Sequence, residues 1–275
     1  MSDIATESKL HRALARRELP PRPHPAQAVA TFAWRAWRRS LSMLPYMAID
    51  VIVFPVIFLL IFTYLFGGAI SGTTGSYLQF LLPGMLVYTV TSMTVYIGIG
   101  IKTDIDRGVF NRFRTLPFWQ PAAIVGAMSI NLLQFGAALL VTVGFGMLLG
   151  FRPEGGIFGA SLGMLLVLAY AFCMSWMFAF LGTIVKKVES ISSMSYIVLY
   201  PLLFTSNVFV DTSTMPDWLG PIVGFNPISL TAAAARELMH GEPTFFTLAK
   251  ALGVMAAALL VFAPMTFRAY GRRAR

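Results

Sequence analysis

Of the 275 residues, 57% are hydrophobic and only 12% charged, against roughly 25% charged in an average soluble chain, and mean hydropathy is +0.71. That leaves too little polar surface to cover a soluble core, so the composition excludes a soluble domain and reads as an all-α polytopic membrane protein. One cysteine, Cys173, and three scattered histidines, His11, His24 and His240, exclude a disulfide scaffold and a clustered metal site, while a net charge of +9 in so apolar a chain points to cytoplasmic loops facing anionic lipid, not to nucleic acid.

Residues 1–25 are polar and basic and close on Pro20, Pro21, Pro23 and Pro25; they predict a disordered cytoplasmic tail with no cleavable leader. Residues 26–45 predict an amphipathic interfacial helix. At 100° per residue Thr31, Arg35, Arg38, Arg39 and Ser42 share one wedge, and Val29, Ala33, Trp34, Trp37, Leu41 and Leu44 lie opposite. Trp at headgroup level and Arg toward lipid phosphate suit membrane lipids as a partner. The helix either anchors the first span or grips a cytoplasmic protein.

Charge-free gaps then mark the membrane spans, because a Lys, Arg or Asp at a helix centre costs about 2.5–3.5 kcal/mol on insertion. Asp50 to Lys102 encloses 51 uncharged residues, room for two helices around the turn at Gly67, Gly68, Gly72 and Gly75. Single gaps follow at Arg114–Arg152, Glu154–Lys186, Glu189–Asp211 and Lys250–Arg268. Six transmembrane helices are predicted near 46–66, 80–101, 122–149, 157–185, 191–210 and 246–267. This count puts 18 Lys and Arg on the side of both termini and three, Arg152, Arg236 and Lys250, on the other. Both termini are therefore expected in the cytoplasm.

The cytoplasmic loop 102–120 mixes charge with aromatics. Phe110, Phe113 and Leu116 recur at intervals of three, Arg112 and Arg114 flank Phe113, and Gly108 and Pro117 bracket a short helix. Aromatic and Arg anchors dominate interface energetics, so this knob suits docking to a partner; a membrane-hugging loop is the plainer alternative. On the outer side, 211–246 is too apolar for a solvated loop. Asn226 as N-cap, Pro227 at the first helical position and Gly241 as C-cap predict a helix of about fourteen residues in an extracellular, re-entrant element before the last span.

The spans themselves carry no ionisable residue away from their ends, where Asp50 and Lys250 stand, so coupling to protons or sodium has no residues to use. Three buried amides, Asn131 and Gln134 one turn apart and Asn207 in the fifth span, are candidates for a substrate path, although packing between helices explains them equally. Gly159 and Gly163, and the nearby Gly98 and Gly100, read as close-packing devices. The sequence has no phosphate-binding GxxxxGK[ST] loop and no convergent catalytic or metal-binding set. Uphill transport would then draw on an ATPase that is a separate chain, with no cofactor on this one.

Three stretches of the sequence resemble the membrane permeases of type 2 ABC exporters, particularly the daunorubicin/doxorubicin-resistance branch. Asp104 to Gly126 (DIDRGVFNRFRTLPFWQPAAIVG) is similar to that family's loop after the second span. Residues 201–219 (PLLFTSNVFVDTSTMPDWL) resemble its fifth-span end and the Met-Pro-x-Trp-Leu stretch beyond. Asn226 to Gly241 (NPISLTAAAARELMHG) resembles the Asn-Pro helix before its last span. The likeness runs from about Gln27 to Arg275, with Asn207 and Asp211 where many relatives carry Gly and Pro. It implies a permease domain over 26–275 in the plasma membrane, paired as a homo- or heterodimer with a second permease subunit. Gly108, Phe110, Arg112, Phe113, Arg114, Leu116 and Pro117 would form the coupling helix that docks on a P-loop ABC ATPase, which binds the ATP. The implied cargo is a hydrophobic or amphipathic drug, antibiotic or lipid-like metabolite; a glycolipid or polysaccharide translocator and a non-transporting scaffold are the alternatives.

Overall fold

A computed structural model describes residues 24–107 and 122–273. The predicted tail and the loop containing the docking knob lie outside the described residues. Every regular element among those described is helical.

The first helix, α1 (Pro25–Ala48), starts where the amphipathic pattern starts. It does not stop before the first span. It runs through a π-helical turn at Ile49–Val53 into α2 (Phe54–Ile61), a second π turn at Phe62–Phe66, and α3 (Gly67–Ser71). The first stretch of membrane-crossing length and apolarity is therefore Phe54–Ser71, several residues beyond the predicted 46–66. Gly72, at φ +74° in the left-handed region that glycine tolerates, turns the chain. Thr73 caps the next helix by accepting from the Ser76 N–H.

Next come α4 (Thr74–Asp106), α5 (Ala122–Leu148) and α6 (Gly156–Ile184), each within a residue or two of its predicted span except α4, which is longer at both ends. The pair α4 and α6 forms the centre of the molecule. Leu78, Leu82, Met85, Leu86 and Val90 of α4 and Val167, Tyr170 and Ala171 of α6 are buried in one cluster. Hydroxyls inside this apolar core bond back to their own helix, as Thr89 does to the Met85 carbonyl and Ser175 to the Ala171 carbonyl.

The fifth span needs correction. Helix α7 covers Val188–Phe204, 17 residues, so among the described residues there are five helices long and apolar enough to cross a membrane plus this shorter one. Beyond Phe204, Thr205 Oγ1 donates to the Pro201 carbonyl and Ser206 Oγ to the Leu203 carbonyl, meeting acceptors of the last turn. Asn207 stands outside the helix, not within the fifth span.

After a 3₁₀ turn at Thr212–Thr214 and the short α8 (Gly220–Phe225), α9 (Pro227–His240) and α10 (Phe245–Arg273) complete the chain. Helix α9 packs among α4, α6 and α10 with Ile228, Thr231, Ala232, Ala235 and Met239 buried. Glycines on α6 make its seat: a Cβ at Gly159 would come 2.5 Å from the Leu238 carbonyl oxygen, and one at Gly163 would meet Met239 at 2.9 Å. The GxxxG pair is thus a packing device whose partner is α9.

Candidate functional site

At one end of the bundle α4 closes and α5 opens beside α1. The seven docking residues, Gly108, Phe110, Arg112, Phe113, Arg114, Leu116 and Pro117, lie outside the described residues. The root of their loop is described. Arg35 of α1 pairs with Asp104 of α4 at 3.5 Å, and Lys102, only 3% exposed, pairs with Asp106 one turn on. Gly126 near the start of α5 brings that helix against α1 so closely that a Cβ there would sit 2.9 Å from the Val29 carbonyl oxygen. Val29, Phe32 and Ala33 are half-buried along this contact, and Trp34 and Trp37 are exposed. The loop therefore emerges from three helices held together. The Lys102–Asp106 spacing is visible in the sequence as an i, i+4 pair. The Arg35–Asp104 pairing is tertiary and leaves no local signal.

The three amides do not form one cluster. Asn131 and Gln134 sit half-buried on α5. Asn207 lies in the non-helical stretch after α7, where its N–H donates to Ser229 Oγ of α9 at 3.2 Å and its carbonyl accepts from Arg236 Nη2 at 3.3 Å. That stretch is pressed onto α4. Tyr77 Oη donates to the Phe209 carbonyl at 2.8 Å, and a Cβ at Gly84 would come 2.8 Å from the Val208 carbonyl oxygen.

Asn226 has the predicted capping role and a second one. Its Oδ1 accepts from the Ile228 N–H at 2.9 Å, and Pro227 occupies the first helical position. Its Nδ2 donates across to the carbonyls of Leu202 and Thr205, tying the start of α9 to the end of α7. One side chain thus satisfies orphan groups at two helix termini.

Arg236 is the feature that sequence reasoning missed, having counted it only as an outer charge. Its Nε donates to the Phe80 carbonyl at 3.0 Å and its guanidinium carbon stands 3.8 Å from the centre of the Phe80 ring. With the bond to Asn207, it joins α9, α4 and the stretch after α7. Asp211, exposed at the surface, accepts from the Ser213 N–H at 2.8 Å. That backbone bond, with help from the Ser213 side chain and the Arg236 charge, holds its carboxyl below the usual carboxylate range.

Among the described residues, no group of three His, Cys, Asp or Glu side chains is placed to hold a metal. The arrangement provides apolar helices of membrane-crossing length, a clamped root for the loop between α4 and α5, and a polar joint where the stretch after α7 meets α9. Residues 27–240 match the family model described as ABC-2 type transporter. The chain is 47% identical to the daunorubicin resistance ABC transporter permease protein DrrB1 of Streptomyces coeruleorubidus, over 98% of this chain and 95% of that one. It is 28% identical to the putative transport permease ycf38 of Cyanophora paradoxa, covering 76% and 73% of the two chains. It is 23% identical to the probable doxorubicin resistance ABC transporter permease protein DrrC of Mycobacterium tuberculosis, covering 71% of each.

Proposed function

The chain belongs to the ABC-2 type transporter family, and on that premise we propose that it is the membrane half of an exporter moving a hydrophobic or amphipathic compound outward across the plasma membrane. The observation that carries this is the likeness, over nearly the whole of both chains, to a permease named for daunorubicin resistance. Permeases of this family work with an ABC ATPase. Spans without central charges and a sequence without a phosphate-binding loop fit that division of labour, with ATP bound and hydrolysed on the partner.

In this reading the knob from Gly108 to Pro117 docks on the ATPase, and a second permease subunit completes the pathway. Arg35 and Arg38, beside the exposed Trp34 and Trp37, meet anionic headgroups of the inner leaflet. Asn131, Gln134 and Asn207 offer polar contacts along the path. Phe and Met, 23 and 15 in number, provide adaptable apolar surface for large planar molecules.

Cells carrying the chain with its ATPase are expected to accumulate less of a planar amphipathic dye than cells with a hydrolysis-dead ATPase. Equal accumulation across a broad dye panel, with a change in surface glycolipid or polysaccharide, would overturn the drug reading in favour of that other cargo. Orientation is checked separately. Reporters fused after Lys187 and Arg275 are expected to read cytoplasm, and those after Gly72, Gly155 and Asp217 outside, as the 18-to-3 charge split requires. An outside signal from Arg275 contradicts it.

A further inference from the structure

Two π turns interrupt the helix of the first span, and the second, Phe62–Phe66, holds a side chain that its surroundings do not satisfy. Thr63 is 2% exposed, and among the described residues its hydroxyl finds no hydrogen-bond partner. Thr89, Thr91, Thr142, Thr231 and Thr266, all buried in α-helices, each donate to the carbonyl four residues back. For Thr63 that carbonyl belongs to Leu59, which accepts from the Phe62 N–H. The wider turn thus withholds a bond that an α turn supplies, and a buried hydroxyl left unmet is costly.

The same turn carries a contact that reaches across the molecule. The Phe62 ring stacks on Phe209, in the stretch after α7, with 4.6 Å between centroids, and on Phe58 at 5.9 Å. On the other side of the turn Tyr64, Leu65 and Phe66 are exposed, which leaves room for rotation. The chain just beyond has slack, since a Cβ at Gly68 or Gly72 would meet nothing within 4 Å. A π turn holds one residue more than the α turn it replaces. Losing that residue turns the flanking segments by about 100° and shifts them about 1.5 Å relative to one another.

We propose that Phe62–Phe66 is a register switch in the first span. It exchanges between the π turn and an α turn that gives Thr63 its bond to the Leu59 carbonyl and carries Phe62 off Phe209. Thr63 sets the balance between the two registers, and Phe62 transmits it. The exchange itself goes beyond the export reading and stands without it. Its use in gating rests on that reading: with the stack broken, the first span moves independently of the joint formed by Asn207 and α9.

The test uses the full complex of chain and ATPase in nanodiscs, with Phe209 replaced site-specifically by 4-fluorophenylalanine. Stacking on Phe62 shifts the fluorine resonance, and saturation transfer reads a minor state in exchange with the major one. The wild-type chain is expected to show a stacked and an unstacked signal, which Phe62→Leu merges at the unstacked position. Thr63→Val, close in shape but lacking the hydroxyl, is expected to lower the unstacked-to-stacked ratio about fivefold, the size of one hydrogen bond. Deletion of Leu65 removes the extra residue and is expected to leave the unstacked signal alone and to abolish ATP-driven dye uptake into inverted vesicles. A single wild-type signal, or a ratio that Thr63→Val leaves unchanged or raises, overturns the proposal, and this holds whether or not the deletion variant folds. Undiminished uptake by the deletion variant overturns the gating role. Exchange as expected with no ATP-driven uptake by the wild-type complex supports the switch and overturns the export reading instead.

Discussion

Gly182→Ala is expected to leave little of the protein able to fold stably. Gly182 of α6 meets Gly98 of α4 where the two central helices cross, and a Cβ at 182 would come 2.4 Å from the Gly98 carbonyl oxygen and 3.0 Å from its Cα. Backbone faces backbone here, so no side chain can swing away and the helices must part. Separation loosens contacts along the most deeply buried pair in the molecule, and a cost of about 3 kcal/mol or more follows, the upper end for overpacking a core. Distance alone would rank Gly146 as worse, since its Cβ would approach Leu82 to 2.2 Å. That atom is the tip of a leucine, however, and a rotamer change relieves it. Gly100, with nothing within 4 Å, should accept Ala without loss. Melting of the three variants in detergent, followed by fluorescence-detected size exclusion, checks the order. A Gly182→Ala protein as stable as Gly100→Ala would rule out the close crossing.

The triple change Arg112→Ala, Phe113→Ala and Arg114→Ala is expected to abolish ATP-driven transport while leaving membrane insertion intact. Truncating a single interface anchor of this kind costs ~2 kcal/mol or more, about thirtyfold in affinity, and here three are removed from one short segment. Arg35→Ala is the comparison. Its pairing with Asp104 is 3.5 Å long and half exposed, and such pairs are worth about 0–1 kcal/mol. The affinity of the purified ATPase for each variant in nanodiscs distinguishes them. Undiminished affinity in the triple variant removes the docking role from this loop; a large loss in Arg35→Ala would shift weight to the loop root.

Where the chemistry is local, the sequence was enough. The helix Pro227–His240 matches its prediction because Asn, Pro and Gly each act within a turn of themselves. Helices α5 and α6 match because uncharged gaps have one easy reading in a membrane. The fifth span ran too far for the same reason. The uncharged gap from Glu189 reaches to Asp211, and nothing in charge alone says that the helix stops at Phe204 or that Asn207 turns to Ser229. Arg236 was illegible because its partners are distant in sequence, Phe80 being 156 residues away. The glycines of α6 announced close packing without naming what packs, since the complementary surface belongs to α9.

That seating of α9 bears on how the chain is made. The helix has 14 residues and a polar face that includes Arg236 and Glu237, so it is a poor candidate to enter a bilayer unaided. Its groove is built by α4 and α6, both of which leave the ribosome before it does. The receptacle thus exists before its occupant is synthesised, and only the wall supplied by α10 arrives afterwards. For α9, then, docking can follow the order of translation on every side but that one.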